Sequence, residues 1–363
     1  MTPLILLLCL ITLCHALITT NIAVKQQLES FRASVLKKAL TNQNINTKGL
    51  FDKAELLNAC IKNNLYSQLD MVNSNMNNID TNYCGISVPI NNQLCNFVID
   101  TGATMNLIRG SVANRLNLQQ RPLQTTTTGM GGTGSLAASV TSTSLECNSD
   151  QIGVDLAVLL PQNEQALPPN TDGLLGLPFI QSLSNNKVLE FDFSTQKLNV
   201  CVSEFLSSEL IELNTKRIYT GLICVDLLLH REGSESVKTT AMLDVGSSRT
   251  ILNSQAVTAL GLSMNNLANS PTQVVGIDGQ PTTLKKLQVN GISYDNNDSS
   301  GSNSDSVMSN LNREVFAADV PGLAAVGLGS IPACILGLDV LCGEGTPKKI
   351  GLDIVGNKAY LPR

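Results

Sequence analysis

The sequence predicts an all-β fold of two homologous lobes related by a pseudo-two-fold axis and preceded by an N-terminal helical segment. Two lobes are predicted because residues 97–104, which contain Asp-Thr-Gly, return as residues 241–248, which contain Asp-Val-Gly. The β class is predicted because short apolar runs alternate with Gly-, Asn- and Thr-rich turns from Tyr83 onward. A repeated aspartate after an apolar run suggests two carboxylates that meet across the axis, as acid–base hydrolysis with a shared proton requires.

The helical segment covers residues 17–82. Apolar residues recur at helical spacing within 24–40 and 51–69, and an Asn-rich stretch, 73–82, follows as a linker. Residues 17–62 carry seven Lys or Arg against three Asp or Glu, so this part is basic although the whole chain has a net charge of −5. Two interpretations stay open: a prosegment whose positive charge lies over an acidic cleft, or a helical cap with a solvated charged face.

Residues 1–16 have the pattern of a secretory signal peptide. Their apolar core runs from Leu4 to Leu13, and a small-residue cleavage site ends at Ala16. No Lys or Arg precedes this core, so a signal anchor is the alternative. We expect a protein of the secretory pathway, secreted or lumenal, with no membrane contact after removal of the signal.

The chain has ten cysteines, of which two lie in the signal, so eight remain and disulfides are permitted. Cys84 and Cys95 flank a predicted hairpin and form the expected first pair; free buried thiols are the alternative. His230 is the only histidine outside the signal, which argues against Ser-His catalysis, Cys-His catalysis and histidine-rich zinc sites. The acidic net charge and the lack of a basic patch in the body of the chain argue against a nucleic-acid partner.

With 363 residues, the chain can hold two domains, a first lobe at 83–205 and a second lobe at 215–363. Beyond the repeated aspartate, each half carries three further matching elements in the same order. They are a Gly-rich segment (Gly129, Met130, Gly131, Gly132 and Gly276, Ile277, Asp278, Gly279), an aliphatic segment with a glycine (174–178 and 335–339), and a short apolar and acidic segment (189–193 and 350–354). The second copy is longer because of a Ser-, Asn- and Asp-rich insertion at about 295–312, whose composition predicts a disordered loop.

These ordered elements make residues 83–363 resemble the retropepsin-like aspartic proteases of the pepsin superfamily, present here as two fused copies. The resemblance implies a bilobal acid-protease-like fold in which Asp100 and Asp244 are catalytic and share one proton. The ionised carboxylate then acts as general base on a water, and the protonated one polarises the scissile carbonyl. The implied activity is that of an endopeptidase on extended polypeptides, with no cofactor and no metal.

The same resemblance implies roles for the residues around the two aspartates. The active-site loops are supported by Thr101, Gly102, Val245, Gly246 and Ser247, and the two Gly-rich segments are flaps that close over the substrate. No Tyr lies between Asp100 and Gly176, which favours a retroviral type of flap. Ser247 is the residue expected to bond to the carboxylate of the second copy.

One departure from the family pattern bears on activity. Val245 stands where the family has Thr or Ser, whose hydroxyl hydrogen-bonds across the pseudo-two-fold axis. Valine has the shape of threonine but no donor or acceptor, which leaves a backbone group unpaired at a cost of about 1–3 kcal/mol when buried. We expect a weakened or specialised enzyme; an inactive protease-like module that binds peptides or proteins is the alternative. In a third arrangement each copy pairs with another chain in a dimer, whereas the fused copies predict a monomer.

Overall fold

The computed structural model describes residues 24–50, 52–73, 83–123, 135–147, 150–218, 220–275, 281–295, 307–309, 313–342 and 349–362. Within these residues the chain is mostly β, so the all-β class predicted from Tyr83 onward is confirmed. The signal peptide and both Gly-rich segments lie outside the described residues.

The helices are short and lie before or between the strands. They are residues 24–30 (α1), Ala33–Asn42 (α2), Lys53–Lys62 (α3), Gly110–Arg115 (α4), Leu177–Ser184 (α5), Ser254–Ala259 (α6), Pro321–Ala325 (α7) and Leu338–Leu341 (α8), with 3-10 turns at Pro161–Ala166, Ser203–Phe205 and Met264–Asn266. In the part of the chain that the structure describes, none of the helices has the length and apolar character needed to cross a bilayer.

The strands of the first half are β1 (Tyr66–Asn73), β2 (Cys84–Ile90), β3 (Gln93–Ile99), β4 (Asn106–Arg109), β5 (Gln120–Pro122), β6 (Ala137–Cys147), β7 (Asp150–Leu159), β8 (Gly173–Leu175), β9 (Val188–Asp192) and β10 (Lys197–Cys201). The strands of the second half are β11 (Leu210–Asn214), β12 (Lys216–Arg217), β13 (Ile223–His230), β14 (Val237–Leu243), β15 (Ile251–Leu252), β16 (Asn269–Val275), β17 (Pro281–Val289), β18 (Gly291–Tyr294), β19 (Val307–Ser309), β20 (Arg313–Ala317), β21 (Ala333–Leu336), β22 (Lys349–Asp353) and β23 (Lys358–Pro362).

The strands form two large sheets, the first of which includes strands from both halves of the chain. The first sheet has the order β11-β23-β22-β9-β10-β1-β2-β3-β8-β4-β7-β6-β5, and the second has the order β16-β17-β20-β15-β21-β14-β13-β18-β19, with β12 paired to β13. At one end of the first sheet, β1, β10 and β9 lie antiparallel beside β22, β23 and β11 of the second half. One triplet repeats the other in reverse order, which is the pattern of a pseudo-two-fold axis between β9 and β22.

In each half a hairpin leads into the repeated aspartate. β2 pairs with β3, and β13 pairs with β14, both antiparallel. Every second residue of β2 is buried in the core, as period-two alternation requires; these residues are Cys84, Ile86, Val88 and Ile90. The core itself is continuous between the two copies, so the loops after β3 and β14 are anchored in one packed interior.

The N-terminal helices end earlier than the sequence predicted. Helicity over 24–40 is interrupted at residues 31–32, and the second helix, predicted over 51–69, ends at Lys62. Asn64 then adopts a left-handed conformation (φ 49°), which stops the helix. Tyr66–Asn73 forms β1 instead, because its backbone groups pair with β10 on one side and β2 on the other. The strand β1 thus precedes residue 83, where the first lobe is predicted to begin.

The helices α2 and α3 form a cap on the end of β10. Their apolar faces make a small second core with Cys201, Val202 and Phe205. No residue of either aspartate loop belongs to this core among the residues described. The packing of residues 24–62 therefore favours the cap, and the prosegment interpretation, in which this basic part lies over the cleft, has no support in these contacts.

Two other predictions are wrong where the structure describes them. The hairpin register places Cys95 opposite Val88, so Cys84 lies about 13 Å further along the strand, too far for a disulfide. No disulfide joins any two of the described cysteines. Within the insertion predicted to be disordered, Val307–Ser309 forms β19, because its backbone pairs with β18.

Candidate active site

Asp100 and Asp244 occupy equivalent positions at the ends of parallel strand pairs. Asp100 follows β3, which runs parallel to β8, and its backbone N–H donates to the Leu175 carbonyl at 2.9 Å. Asp244 follows β14, which runs parallel to β21, and its N–H donates to the Leu336 carbonyl at 3.1 Å. The aliphatic segments at 174–178 and 335–339 thus lie beside the two aspartate loops.

The two loops face each other at their glycines. A Cβ on Gly102 would lie 2.6 Å from Oδ2 of Asp244, and a Cβ on Gly246 would lie 2.5 Å from Cγ of Asp100. Any larger residue would overlap the opposite carboxylate, so the approach requires glycine in both loops. Each glycine N–H also donates to the aspartate of its own loop, at 2.7 Å for Gly102 and 2.9 Å for Gly246.

The two carboxyl groups hydrogen-bond to each other. Burial, the nearby charge of Asp100 and the hydrogen bond to Asp100 hold the pKa of Asp244 well above its usual range. Burial also raises the pKa of Asp100, but the hydrogen bond from Asp244 and the loop N–H groups work in the opposite direction. Asp244 is only 5% exposed, whereas Asp100 is half-buried. Burial disfavours the charged form of both acids, so the pair holds one shared proton.

Thr101 makes the contact between the loops from one side only. Its hydroxyl donates to the Leu243 carbonyl at 2.8 Å and accepts from the Val245 N–H at 3.0 Å. Val245 is 1% exposed and can return neither bond. Among the described residues, the backbone N–H of Thr101 has no hydrogen-bond partner. The unpaired group expected from the valine is thus the Thr101 N–H.

Two polar residues behind the loops were not singled out by sequence reasoning. Asn106 accepts from the Gly176 N–H at 2.9 Å, and Thr250, at the equivalent place in the second copy, accepts from the Gly337 N–H at 3.0 Å. The Thr250 hydroxyl donates in turn to Asp339 at 2.7 Å. Asn106 and Thr250 follow their respective aspartates at the same spacing, and this feature of the sequence could have identified them.

Ser247 differs from its expected role. Its hydroxyl donates to the Arg249 carbonyl at 2.8 Å, so the contact of Ser247 with the Asp244 carboxylate is through its backbone N–H. The Ser247 hydroxyl, which the sequence suggested would bond to the Asp244 carboxylate, is therefore bonded within a tight turn of its own loop. Both predicted flaps, at 129–132 and 276–279, lie outside the described residues.

Residues 86–179 match the aspartyl protease family. The matched aspartyl protease segment contains Asp100, Thr101 and Gly102, so the resemblance predicted from these residues is confirmed for that part of the chain. The second loop, with Asp244, lies beyond the matched segment and is related to it by the internal repeat and by the contacts above.

Two solved structures are similar to the chain. Conglutin gamma, a unique basic 7S globulin from lupine seeds, is 12% identical over 82% of this chain and 94% of that chain, with a TM-score of 0.44. Basic 7S globulin from soybean is 10% identical over 82% of this chain and 94% of that chain, with a TM-score of 0.45. No curated protein sequence matches the chain. Within the described ranges, no three His, Cys, Asp or Glu side chains lie together in a group that could hold a metal ion.

Proposed function

We propose that this protein is an aspartic endopeptidase that hydrolyses extended polypeptides. The observation that carries the proposal is the contact between the Asp100 and Asp244 carboxyl groups, with each loop glycine placed against the opposite aspartate. Two adjacent carboxyls that share one proton supply a base and an acid within a single site. The match of residues 86–179 to the aspartyl protease family supports the same reaction.

The unequal exposure of the two carboxyls supports a different role for each. Asp100 is the more exposed and the more readily ionised, so it takes a proton from a water molecule as that water attacks the scissile carbonyl. Asp244 carries the shared proton and gives it to the carbonyl oxygen. Asp100 then passes its proton to the leaving amine as the C–N bond breaks, and a hydroxyl of the tetrahedral intermediate gives its proton to Asp244, which restores the starting state of the pair.

The pH dependence follows from the raised pKa values of the pair. Activity requires one proton on the two carboxyls, so it falls at low pH when both are protonated and at high pH when both are ionised. Because burial raises both pKa values, the singly protonated state persists to a higher pH than for an ordinary aspartate.

The test is cleavage of a peptide library by the purified chain from pH 3 to pH 7, read by mass spectrometry. Asp100→Asn and Asp244→Asn should each reduce kcat/KM by about a thousandfold, as removal of an acid or base does. Asp70→Asn, which changes an exposed carboxylate on β1, is the matched control and should retain activity. Full activity in either active-site variant would refute the mechanism.

A second candidate function is a protease-like module that binds peptides without cleaving them. The observation in its favour is Val245, which leaves the loop contact one-sided. Peptide affinity without turnover, unchanged by Val245→Thr, would favour this function. The dimer arrangement is disfavoured because Asp100 and Asp244 of one chain already contact each other, and we propose a monomer, which sedimentation velocity would test.

We also propose that the chain enters the secretory pathway, on the pattern of residues 1–16. N-terminal sequencing of protein recovered from the medium of secreting cells should begin after Ala16. Retention of the uncleaved chain in the cytosol would refute this.

A further inference from the structure

A tyrosine that the mechanism does not use lies beside the aspartate pair. Tyr83 immediately precedes β2, and the β2–β3 register pairs Gly85 with Val98. Continued by two residues, this register places Tyr83 opposite Asp100. Residues directly opposite in an antiparallel pair have Cβ atoms about 5 Å apart and point to the same face.

The side chains on this face support that placement. Cys84 and Ile99 point into the hydrophobic core, so Tyr83 and Asp100 point to the other face of the hairpin. On the same face, Ser87 and Asn96 are opposite each other in the register and their side chains hydrogen-bond. Between Tyr83 and Ser87 lies Gly85, which adds no side chain to this face.

The phenol is near enough to both carboxyls for their charges to act on it. Burial makes the largest contribution to raising the pKa of Tyr83. The negative charge of Asp100 raises this pKa further, and that of Asp244 adds a smaller effect. Tyr83 is half-buried, and its hydroxyl makes no hydrogen bond to either aspartate or to any other described residue. A neutral phenol, which stays protonated through the acidic and neutral range, is thus available as a donor beside the pair.

The second copy has no counterpart to this donor. The β13–β14 register pairs Cys224 with Met242, which places Leu222 opposite Asp244. Leu222 is 2% exposed and belongs to the hydrophobic core. The donor therefore exists on the Asp100 side alone and breaks the pseudo-two-fold symmetry of the site.

We propose that Tyr83 is a substrate-binding residue, whose hydroxyl donates a hydrogen bond to a backbone carbonyl of the bound peptide on the Asp100 side of the scissile bond. The inference rests on the proposed function only in that both require a peptide in this cleft. A backbone carbonyl is the acceptor that every peptide offers, so Tyr83 contributes to affinity for extended chains without selecting a side chain. The hydroxyls of Thr101 and Ser247 cannot serve, since both are bonded to backbone groups.

The test measures binding and cleavage separately. A random decapeptide library is passed over the full chain carrying Asp244→Asn, which should bind peptides without cleaving them, and the tightest-binding peptide is synthesised. Its Kd is measured by titration calorimetry with this chain, with Tyr83→Phe added, and with Tyr360→Phe added. Tyr360 is the matched control, because its hydroxyl bonds to Glu212 and Ser203 on another part of the molecule.

Tyr83→Phe should weaken peptide binding by about tenfold, the loss of one hydrogen bond, while Tyr360→Phe leaves the Kd unchanged. In the otherwise wild-type chain, Tyr83→Phe should raise KM by a similar factor with kcat and the pH profile preserved. Equal affinity in the Tyr83→Phe chain and its parent, or a shifted acid limb of the pH profile with unchanged KM, would overturn the proposal. Binding that depends on Tyr83 without cleavage by the wild-type chain would sustain this inference and refute the endopeptidase.

Discussion

Replacing Val245 by threonine tests whether the one-sided contact between the loops limits the protein. In the wild-type chain, the Thr101 hydroxyl makes two bonds to the opposite loop, at 2.8 and 3.0 Å, and the Thr101 N–H is left without a partner among the described residues. A threonine hydroxyl at position 245 would accept from that N–H and donate to a carbonyl of the first loop. Two hydrogen bonds of about 0.5–1.5 kcal/mol each predict that Val245→Thr raises the free energy of unfolding by about 1–3 kcal/mol.

The assay is urea-induced unfolding, with the midpoint and slope determined separately so that a change in stability is distinguished from a change in the unfolded state. Thr101→Val is the matched reverse change and should cost about 2–4 kcal/mol, because it leaves the Val245 N–H and the Leu243 carbonyl unpaired. The double variant Thr101→Val with Val245→Thr moves the hydroxyl to the other loop and should return close to wild type. If the new hydroxyl is buried without a partner, Val245→Thr is instead destabilising, and that result would refute the reasoning.

The cap, the strand pair at the pseudo-two-fold axis and a buried acid give three further predictions. A chain that begins at Leu65 uncovers Tyr66, Cys201, Val202 and Phe205, and should lose roughly 4–8 kcal/mol in urea unfolding; equal stability would mean that the cap is dispensable. Lys349 on β22 pairs with Asp192 at 2.8 Å and Glu190 at 3.4 Å on β9, so Lys349→Met should cost about 3 kcal/mol at pH 7. Although burial raises the pKa of Asp192, the hydrogen bonds from Lys349 and Ser194 outweigh it and lower that pKa, so the loss should shrink as the pH falls and Asp192 is protonated; a pH-independent loss would exclude the Lys349–Asp192 ion pair as its cause. Burial raises the pKa of Asp339 despite its bonds to Thr250, so the folded state favours the protonated acid and stability is lost as the pH rises from the unfolded pKa through the folded pKa. The stability of Asp339→Asn relative to wild type, measured by urea unfolding, should therefore increase as the pH rises from 3 to 7. A difference that stays constant across that range would contradict this reasoning.

The sequence by itself determined the elements that are local or repeated. The β class, the hairpins before Asp100 and Asp244, and the correspondence of the two copies could be predicted because alternation and repetition are visible in one dimension. The same is true of the glycines at 102 and 246, since close approach of a backbone admits no other residue. The valine of the second loop was also visible as a departure within the repeat.

The remaining features depend on residues that are distant in the chain. The predicted helix extended to residue 69, but its last residues belong to the strand Tyr66–Asn73, because β10 and β2 offer the backbone of this strand two sets of partners. The failure of the Cys84–Cys95 pairing was decided by strand register, which no count of cysteines contains.

The chemistry of the site likewise depends partly on the sequence and partly on the tertiary structure. Sequence supplied the two aspartates, but only the tertiary structure gave them different surroundings, with Asp244 almost fully buried and Asp100 half-buried. The structure likewise placed Tyr83 beside Asp100 and the core residue Leu222 beside Asp244. Burial and electrostatic environment are properties of everything packed around a group, and a sequence motif lists only that group and its neighbours along the chain.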